Sequence, residues 1–205
     1  MPRRRIFIAI QIPEGVKNSA EFYLKPFFGD KNIRIPKKEG WHITLVFCGY
    51  LDDEEIEALK EIVKKVASEF KAFELSPQKI LFAPPNRPRM IWLTFKPSPQ
   101  FGDLKNKIES AIISYQTKEL FKNFHQETRE SNPHLTLARF EEKSFNDIKN
   151  FLIRDGIDLT KETAPFLAKS IDIMESYLSR SGADYKIVSS LSLNRNVQAH
   201  SFCRN

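Results

Sequence analysis

The chain has 205 residues, of which 41% are hydrophobic and 12% aromatic. This apolar content supplies a packed core, and 12 prolines and 7 glycines without a period exclude collagen-like sequence. Two cysteines are too few for a disulfide framework, and no apolar run reaches the ~20 residues that cross a bilayer, so we expect a cytoplasmic protein without membrane association. The formal net charge of +6 is compatible with a phosphate-rich partner but does not require one.

Hydrophobic patterning predicts helices that alternate with strands. The apolar run over residues 6–10 follows three arginines, but it is too short for an export signal and is typical of a buried strand. A strand over about 41–48 precedes a strong helix, which Asp52 and Glu55 open as a capping box. The other predicted elements are a helix after Pro13, strands near 73–81 and 90–95, a helix through Leu104 and Ile112, a strand over 133–140, a helix opened by Ser144 and closed near Gly156, and strands over 169–176 and 184–193.

Two segments of the chain repeat one pattern. Residues 42–45 read His-Ile-Thr-Leu and residues 134–137 read His-Leu-Thr-Leu, each in a predicted strand that leads through a polar turn into a helix. The histidines, at positions 42 and 134, are 92 residues apart, close to half the chain, so a duplicated lobe is the economical explanation. We expect one domain over residues 1–193, followed by a C-terminal tail over 194–205.

The repeated pattern points to a shared chemistry. Alternate residues of a strand face the same side, so His42 lies beside Thr44, and His134 lies beside Thr136. Facing each other across a cleft, these side chains suit phosphoryl transfer, because hydroxyls donate to phosphate oxygens while one histidine accepts a proton and the other donates one. A single histidine or threonine in a strand is more often structural, so the functional interpretation depends on the pair. No cluster has the spacing of a metal site, and we expect no cofactor.

The two motifs match the paired His-x-Thr/Ser-hydrophobic motifs of the 2H phosphoesterase superfamily. Their surroundings resemble its RNA 2′,3′-cyclic phosphodiesterase branch, also described as LigT-like 2′-5′ RNA ligases. The similar segments are residues 5–10, 82–92, 133–139, 175–178 and 182–185. The resemblance covers the chain from about residue 4 to residue 191.

The resemblance implies a bilobal, duplicated α+β fold in which two largely antiparallel sheets with outer helices surround a central cleft. The alternation of helices and strands would by itself favour a parallel α/β sheet. The family implies hydrolysis of RNA 2′,3′-cyclic phosphate ends to 2′-phosphates without a metal, with 2′-5′ RNA ligation as the reverse activity. It assigns His42 as the proton donor and His134 as the proton acceptor. The partner it implies is an RNA with a cyclic phosphate end, such as a tRNA fragment, bound by a monomer.

Several residues outside the motifs are weaker candidates. Arg87, Arg89 and Arg129 are candidate RNA contacts, although each also fits a solvated loop charge. Arg139 is an odd number of positions from His134, so strict alternation predicts that it points away from the pocket. We expect Trp41, Trp92 and Tyr185 to pack in the core rather than against a base.

Two alternatives to the RNA phosphodiesterase remain open from the sequence. The first keeps the chemistry but acts on small cyclic nucleotide phosphates or 2′-5′ oligonucleotides, since a fold does not determine its substrate. The second is a non-catalytic module that binds RNA ends, which the basic charge alone favours. Binding alone would not need both imidazoles, so the intact pair of motifs argues against this second alternative.

Overall fold

Helices separate groups of strands along the chain in the computed structural model, which describes residues 3–116, 119–127, 132–151, 156–179 and 182–194. The strands are β1 (Arg4–Gln11), β2 (Ile33–Arg34), β3 (His42–Leu51), β4 (Phe73–Leu75), β5 (Pro77–Ala83), β6 (Met90–Phe95), β7 (His134–Phe140), β8 (Ile157–Asp158), β9 (Phe166–Ala168), β10 (Ser170–Ser179) and β11 (Gly182–Ser192). The helices are α1 (Glu14–Leu24), α2 (Asp53–Glu69), α3 (Pro99–Ser114) and α4 (Phe145–Ile148).

Nine of these strands form one sheet. Its order is β11-β10-β1-β3-β7-β6-β5-β8, with β2 added on β7, while β4 and β9 pair separately. Every pair of these strands is antiparallel. The expected α+β class is therefore confirmed, and the parallel sheet that the alternation alone favours is wrong.

The large sheet has two halves that meet at the motif strands. β3 pairs with β7 through Ile43 and Leu135 alone, so the expected two sheets are joined at a single position. The first lobe contains β11, β10, β1 and β3, and the second contains β7, β6, β5 and β8. The chain passes from the first lobe into the second and returns, so the lobes do not correspond to successive halves of the sequence.

Local sequence explains the strongest elements. β1 is buried on both faces because Ile6 and Ile8 alternate with Phe7 and Ala9, all at most 3% exposed. The predicted capping box of α2 is present, since the Asp52 carboxylate accepts from the Glu55 N–H and the Glu55 carboxylate accepts from the Asp52 N–H, both at 3.0 Å. The apolar stripe of α2 faces the core and contains Ile56, Leu59, Val63 and Val66.

A helix begins directly after Ser144 as predicted, but the capping bond expected from the Ser144 side chain is absent. A cap needs an extended backbone, but Ser144 is itself helical (φ −83°, ψ −5°) after a 3₁₀ turn over Glu142–Ser144, and its side chain makes no capping bond. α4 ends at Ile148 and a 3₁₀ turn over Lys149–Phe151 follows it, so the predicted end of this helix near Gly156 is wrong. The tail beyond residue 194 lies outside the described residues.

Candidate active site

Both motif strands contain a bulge at the last residue of the motif. In β7, Trp92 pairs with Thr136 but Ile91 pairs with Ala138, so Leu137 is an extra residue. An extra residue resets the alternation of a strand, and Leu137 and Ala138 are consequently both buried.

β3 repeats this geometry against β1. Ala9 pairs with Thr44 and Ile8 pairs with Val46, which leaves Leu45 as the extra residue. Phe47 therefore returns to the face of His42, as Arg139 returns to the face of His134. The prediction that Arg139 points away from the pocket is wrong, because it assumed strict alternation across the bulge.

A cavity of about 140 Å³ lies where the motif strands meet, and it brings the four motif side chains together. Extending the pairing of Ile43 with Leu135 by one residue each way places His42 opposite Thr136 and Thr44 opposite His134 on one face. The other lining residues are Arg5, Phe7, Pro36, Gly40, Trp41, Phe47, Leu135, Arg139 and Tyr185. The cavity thus presents two imidazoles and two hydroxyls beside two guanidinium groups, those of Arg5 and Arg139.

Each histidine is oriented by the backbone two residues before it, just outside its own strand. His42 Nδ1 lies 2.6 Å from the carbonyl oxygen of Gly40, and His134 Nδ1 lies 3.0 Å from that of Asn132. A carbonyl oxygen only accepts, so each Nδ1 carries the hydrogen and donates it. In both rings this leaves Nε2 available to exchange a proton with a ligand.

Aromatic rings hold both imidazoles in place. The His42 ring centre lies 4.8 Å from that of Phe7 and 4.9 Å from that of Tyr185, and His134 stacks on Trp92 at 4.0 Å. Tyr185 lines the cavity instead of packing only in the core, which corrects the sequence-based expectation. Its ring also approaches Gly40, where an added Cβ would lie 2.7 Å from Tyr185 Cδ2.

Burial sets the protonation of the site. Loss of water around the rings lowers the pKa of His42 and of His134 below the ordinary histidine value, and the positive charge of Arg139 lowers both further. The bonds to the Gly40 and Asn132 carbonyls act in the opposite direction. An anionic phosphate in the cavity would raise both pKa values, because it stabilises the charged imidazolium.

Sequence reasoning missed three further lining residues that flank the motifs. Arg5 places its guanidinium 4.7 Å from the centre of the Phe47 ring and donates to the Ser176 hydroxyl at 2.8 Å. Phe7 belongs to an all-apolar strand, which gives no sign that one face meets a cavity. Phe47 follows His42 by the same interval as Arg139 follows His134, and this correspondence is the signal that the repeat offered.

The predicted RNA-contacting arginines lie elsewhere. Arg87 is exposed and forms an ion pair with Glu142, and neither Arg87 nor Arg89 lines the cavity. Arg129 lies outside the described residues. Within the described ranges, no three His, Cys, Asp or Glu side chains form a group that could hold a metal ion, and no helix there is long and apolar enough to cross a membrane.

Residues 25–176 match the family model of the 2′-5′ RNA ligase superfamily. The chain belongs to this superfamily. An RNA 2′,3′-cyclic phosphodiesterase from Methanocaldococcus jannaschii is 31% identical over 192 residues, covering 90% of this chain and 98% of that protein. Another from Bacillus subtilis is 30% identical over 144 residues, covering 67% of this chain and 72% of that protein. The expected membership of the 2H phosphoesterases is thereby confirmed.

Solved structures of the superfamily fold show the same architecture. A protein of Thermus thermophilus, TT0787, superposes with a TM-score of 0.73 at 18% identity, covering 94% of this chain and 99% of that one. Escherichia coli LigT, complexed with 3′-AMP, superposes with a TM-score of 0.68 at 18% identity and the same coverage. At 18% identity, the structural likeness establishes the fold of this chain but not its substrate.

Proposed function

We propose that this protein hydrolyses RNA 2′,3′-cyclic phosphate ends to 2′-phosphates, with His42 as proton donor and His134 as proton acceptor. The observation that carries the proposal is the pair of imidazoles with Nδ1 bound to a backbone carbonyl, both lining one cavity with two threonines. The names of the relatives support the choice of substrate. We further propose that the protein acts as a cytoplasmic monomer.

The proposed reaction is an in-line displacement at phosphorus. His134 Nε2 takes a proton from water as the water oxygen forms its bond to phosphorus. The bond from phosphorus to O3′ breaks on the opposite side, and His42 Nε2 gives its proton to that leaving oxygen. The product has a 2′-phosphate and a free 3′-hydroxyl, while His134 ends protonated and His42 neutral.

The remaining polar groups stabilise the charge on the phosphate. The Thr44 and Thr136 hydroxyls donate hydrogen bonds to its non-bridging oxygens, and Arg139 supplies a positive charge beside them. If the 5′-hydroxyl of a second RNA replaces water, the same step forms a 2′-5′ linkage. We include this joining reaction in the proposal as a secondary activity.

The direct test uses an RNA oligonucleotide that ends in a 2′,3′-cyclic phosphate, incubated in EDTA. The wild type should form a 2′-phosphate, and His42→Ala and His134→Ala should each lower kcat/KM by about 10²–10⁴-fold, because each removes a positioned acid or base. His125→Ala is the matched control, since His125 is exposed and does not line the cavity.

Each alternative predicts a different result in this test. Turnover of nucleoside 2′,3′-cyclic phosphates or 2′-5′ oligonucleotides, with none of the RNA, would replace the proposed substrate and keep the chemistry. Tight RNA binding by wild type and both variants, without a product, would identify a binding module. Full activity in either folded histidine variant would exclude the two-histidine mechanism.

A further inference from the structure

A second, basic cavity borders the active site. Its volume is about 300 Å³, and Arg139 lines both this cavity and the one that contains the histidines. Its charged lining residues are Lys31, Arg34, Arg139, Lys143 and Glu141. Four cationic side chains and one carboxylate thus surround a single space that shares Arg139 with the catalytic cleft.

The fold places two arginines directly opposite each other in this cavity. β2 pairs with β7 so that Arg34 is opposite Arg139, and residues paired in this way extend to the same face of a sheet. Like charges directly opposite each other are destabilising. Among the described residues, no carboxylate forms an ion pair with Arg34, Arg139 or Lys31.

The carboxylate of the cavity is already engaged. Glu141 forms an ion pair with Lys143 at 2.7 Å, and both side chains are well exposed. This pair leaves the charges of Lys31, Arg34 and Arg139 without a counter-charge from the described protein. An anionic ligand that reaches all three would remove the repulsion.

We propose that this second cavity binds a phosphodiester of the RNA chain upstream of the cyclic phosphate end. The inference rests on the proposed function: Arg139 lines both cavities, so an RNA whose end is held at the histidines can extend past it into the second cavity. A guanidinium has five donors in a planar fork, so Arg139 can donate to groups in both cavities. The second cavity therefore makes the enzyme prefer oligonucleotides over single nucleotides that carry the same cyclic phosphate.

The test compares two substrates in two charge-matched variants. The substrates are a tetranucleotide ending in a 2′,3′-cyclic phosphate and the corresponding nucleoside 2′,3′-cyclic phosphate. Lys31→Gln/Arg34→Gln should lower the ratio of kcat/KM for the tetranucleotide to that for the nucleotide about tenfold, through lost charge-assisted hydrogen bonds. Lys64→Gln/Lys65→Gln removes two exposed charges from α2 and should leave the ratio unchanged.

Salt dependence gives an independent measurement on the same proteins. Each phosphate contact that is lost should reduce the slope of log kcat/KM against log salt by about 0.7 for a single strand. The cavity variant should show this reduction with the tetranucleotide and not with the nucleotide. If Lys31→Gln/Arg34→Gln does not fold, Lys31→Gln alone tests the same prediction at an exposed position, and Arg34→Lys, which keeps the charge, should retain most of the preference.

The outcomes separate this inference from the proposed function. A wild type that turns over both substrates, with a ratio and a salt slope that the cavity variant leaves unchanged, would overturn the second site and leave the function intact. A wild type that hydrolyses neither substrate would overturn the proposed function, and the second site with it. An equal loss in both double variants would show a general effect of net charge and would also overturn the site.

Discussion

At the residue scale, the two imidazoles have the same tautomer, but the aromatic rings around them are arranged differently. His42 lies edge-on to Tyr185, with an interplanar angle of 78°, whereas His134 stacks on Trp92 at 27°. A ring face attracts a positive charge, and both imidazoles have one nearby: Trp92 stacks on His134, and the Phe7 ring lies 4.8 Å from His42 at an angle of 33°. The packing thus supports an imidazolium at either histidine, as a reaction that passes a proton through each of them needs.

The first prediction concerns pH. The proposed reaction needs a neutral His134 and a protonated His42, so activity rises as His134 loses its proton and falls as His42 loses its own. Since burial lowers both pKa values, kcat/KM should be bell-shaped with a maximum below about pH 6.5. The profile of kcat should lie at higher pH, because bound phosphate raises both values. A flat kcat/KM between about pH 5 and 8, under conditions where chemistry is rate-limiting, would contradict the histidine pair.

Arg139→Gln gives a second test at this scale. The substitution removes a positive charge that lowers the pKa of both histidines, so the profile of kcat/KM should move to higher pH. The maximum should also fall by about 10²-fold, since a charged donor to the phosphate is lost. Lys64→Gln, which removes a charge on the exposed side of α2, is the control and should change neither the position nor the height of the profile.

At the element scale, the bulges determine which residues of the motif strands reach the cavity. Alternation correctly groups His42 with Thr44 and His134 with Thr136, because these pairs precede the bulge. Alternation fails at Arg139, because the extra residue in β7 is visible only from the pairing of β7 with β6. The paired residues of β6 lie 40 or more positions away in sequence. Local periodicity contains no information on that pairing. Tyr185 was missed for the same reason, since its place beside His42 depends on the order of strands.

The two predicted helix caps give an element-scale test of stability. Asp52→Ala removes a reciprocated capping bond and should lower the free energy of unfolding by about 1 kcal/mol. Ser144→Ala removes a hydroxyl that makes no capping bond and should cost much less. Urea unfolding followed by circular dichroism measures both, and an equal loss in the two variants would contradict the structural distinction between the caps.

At the scale of the whole molecule, the chain interleaves the two lobes. β1 lies between β3 and β10, so the first lobe contains strands from both ends of the described chain, and α2 packs against α3. The sequence predicted the antiparallel class through family resemblance and most element positions through patterning. The return of β10 and β11 to the first lobe does not follow from a repeated motif, because that repeat suggests two successive units.

Interleaving predicts that the lobes unfold together. Trp41 begins the motif segment of the first lobe, and Trp92 lies in β6 of the second. Trp92→Phe and Trp41→Phe therefore leave one fluorescent probe in each lobe. Urea midpoints measured by fluorescence in each variant should agree with the midpoint from circular dichroism of the same variant. Two separate transitions would show that the lobes are independent units.

The position of Tyr185 on β11 has a consequence for when, during translation, the enzyme can first become active. The ring that packs against His42 is encoded more than 140 residues after that histidine, and β10 between them completes the sheet around β1. A nascent chain that still holds these strands in the ribosome contains both motifs but lacks one wall of the pocket. Catalysis must therefore wait until β11 has been synthesised, although every residue proposed to move a proton has been translated much earlier.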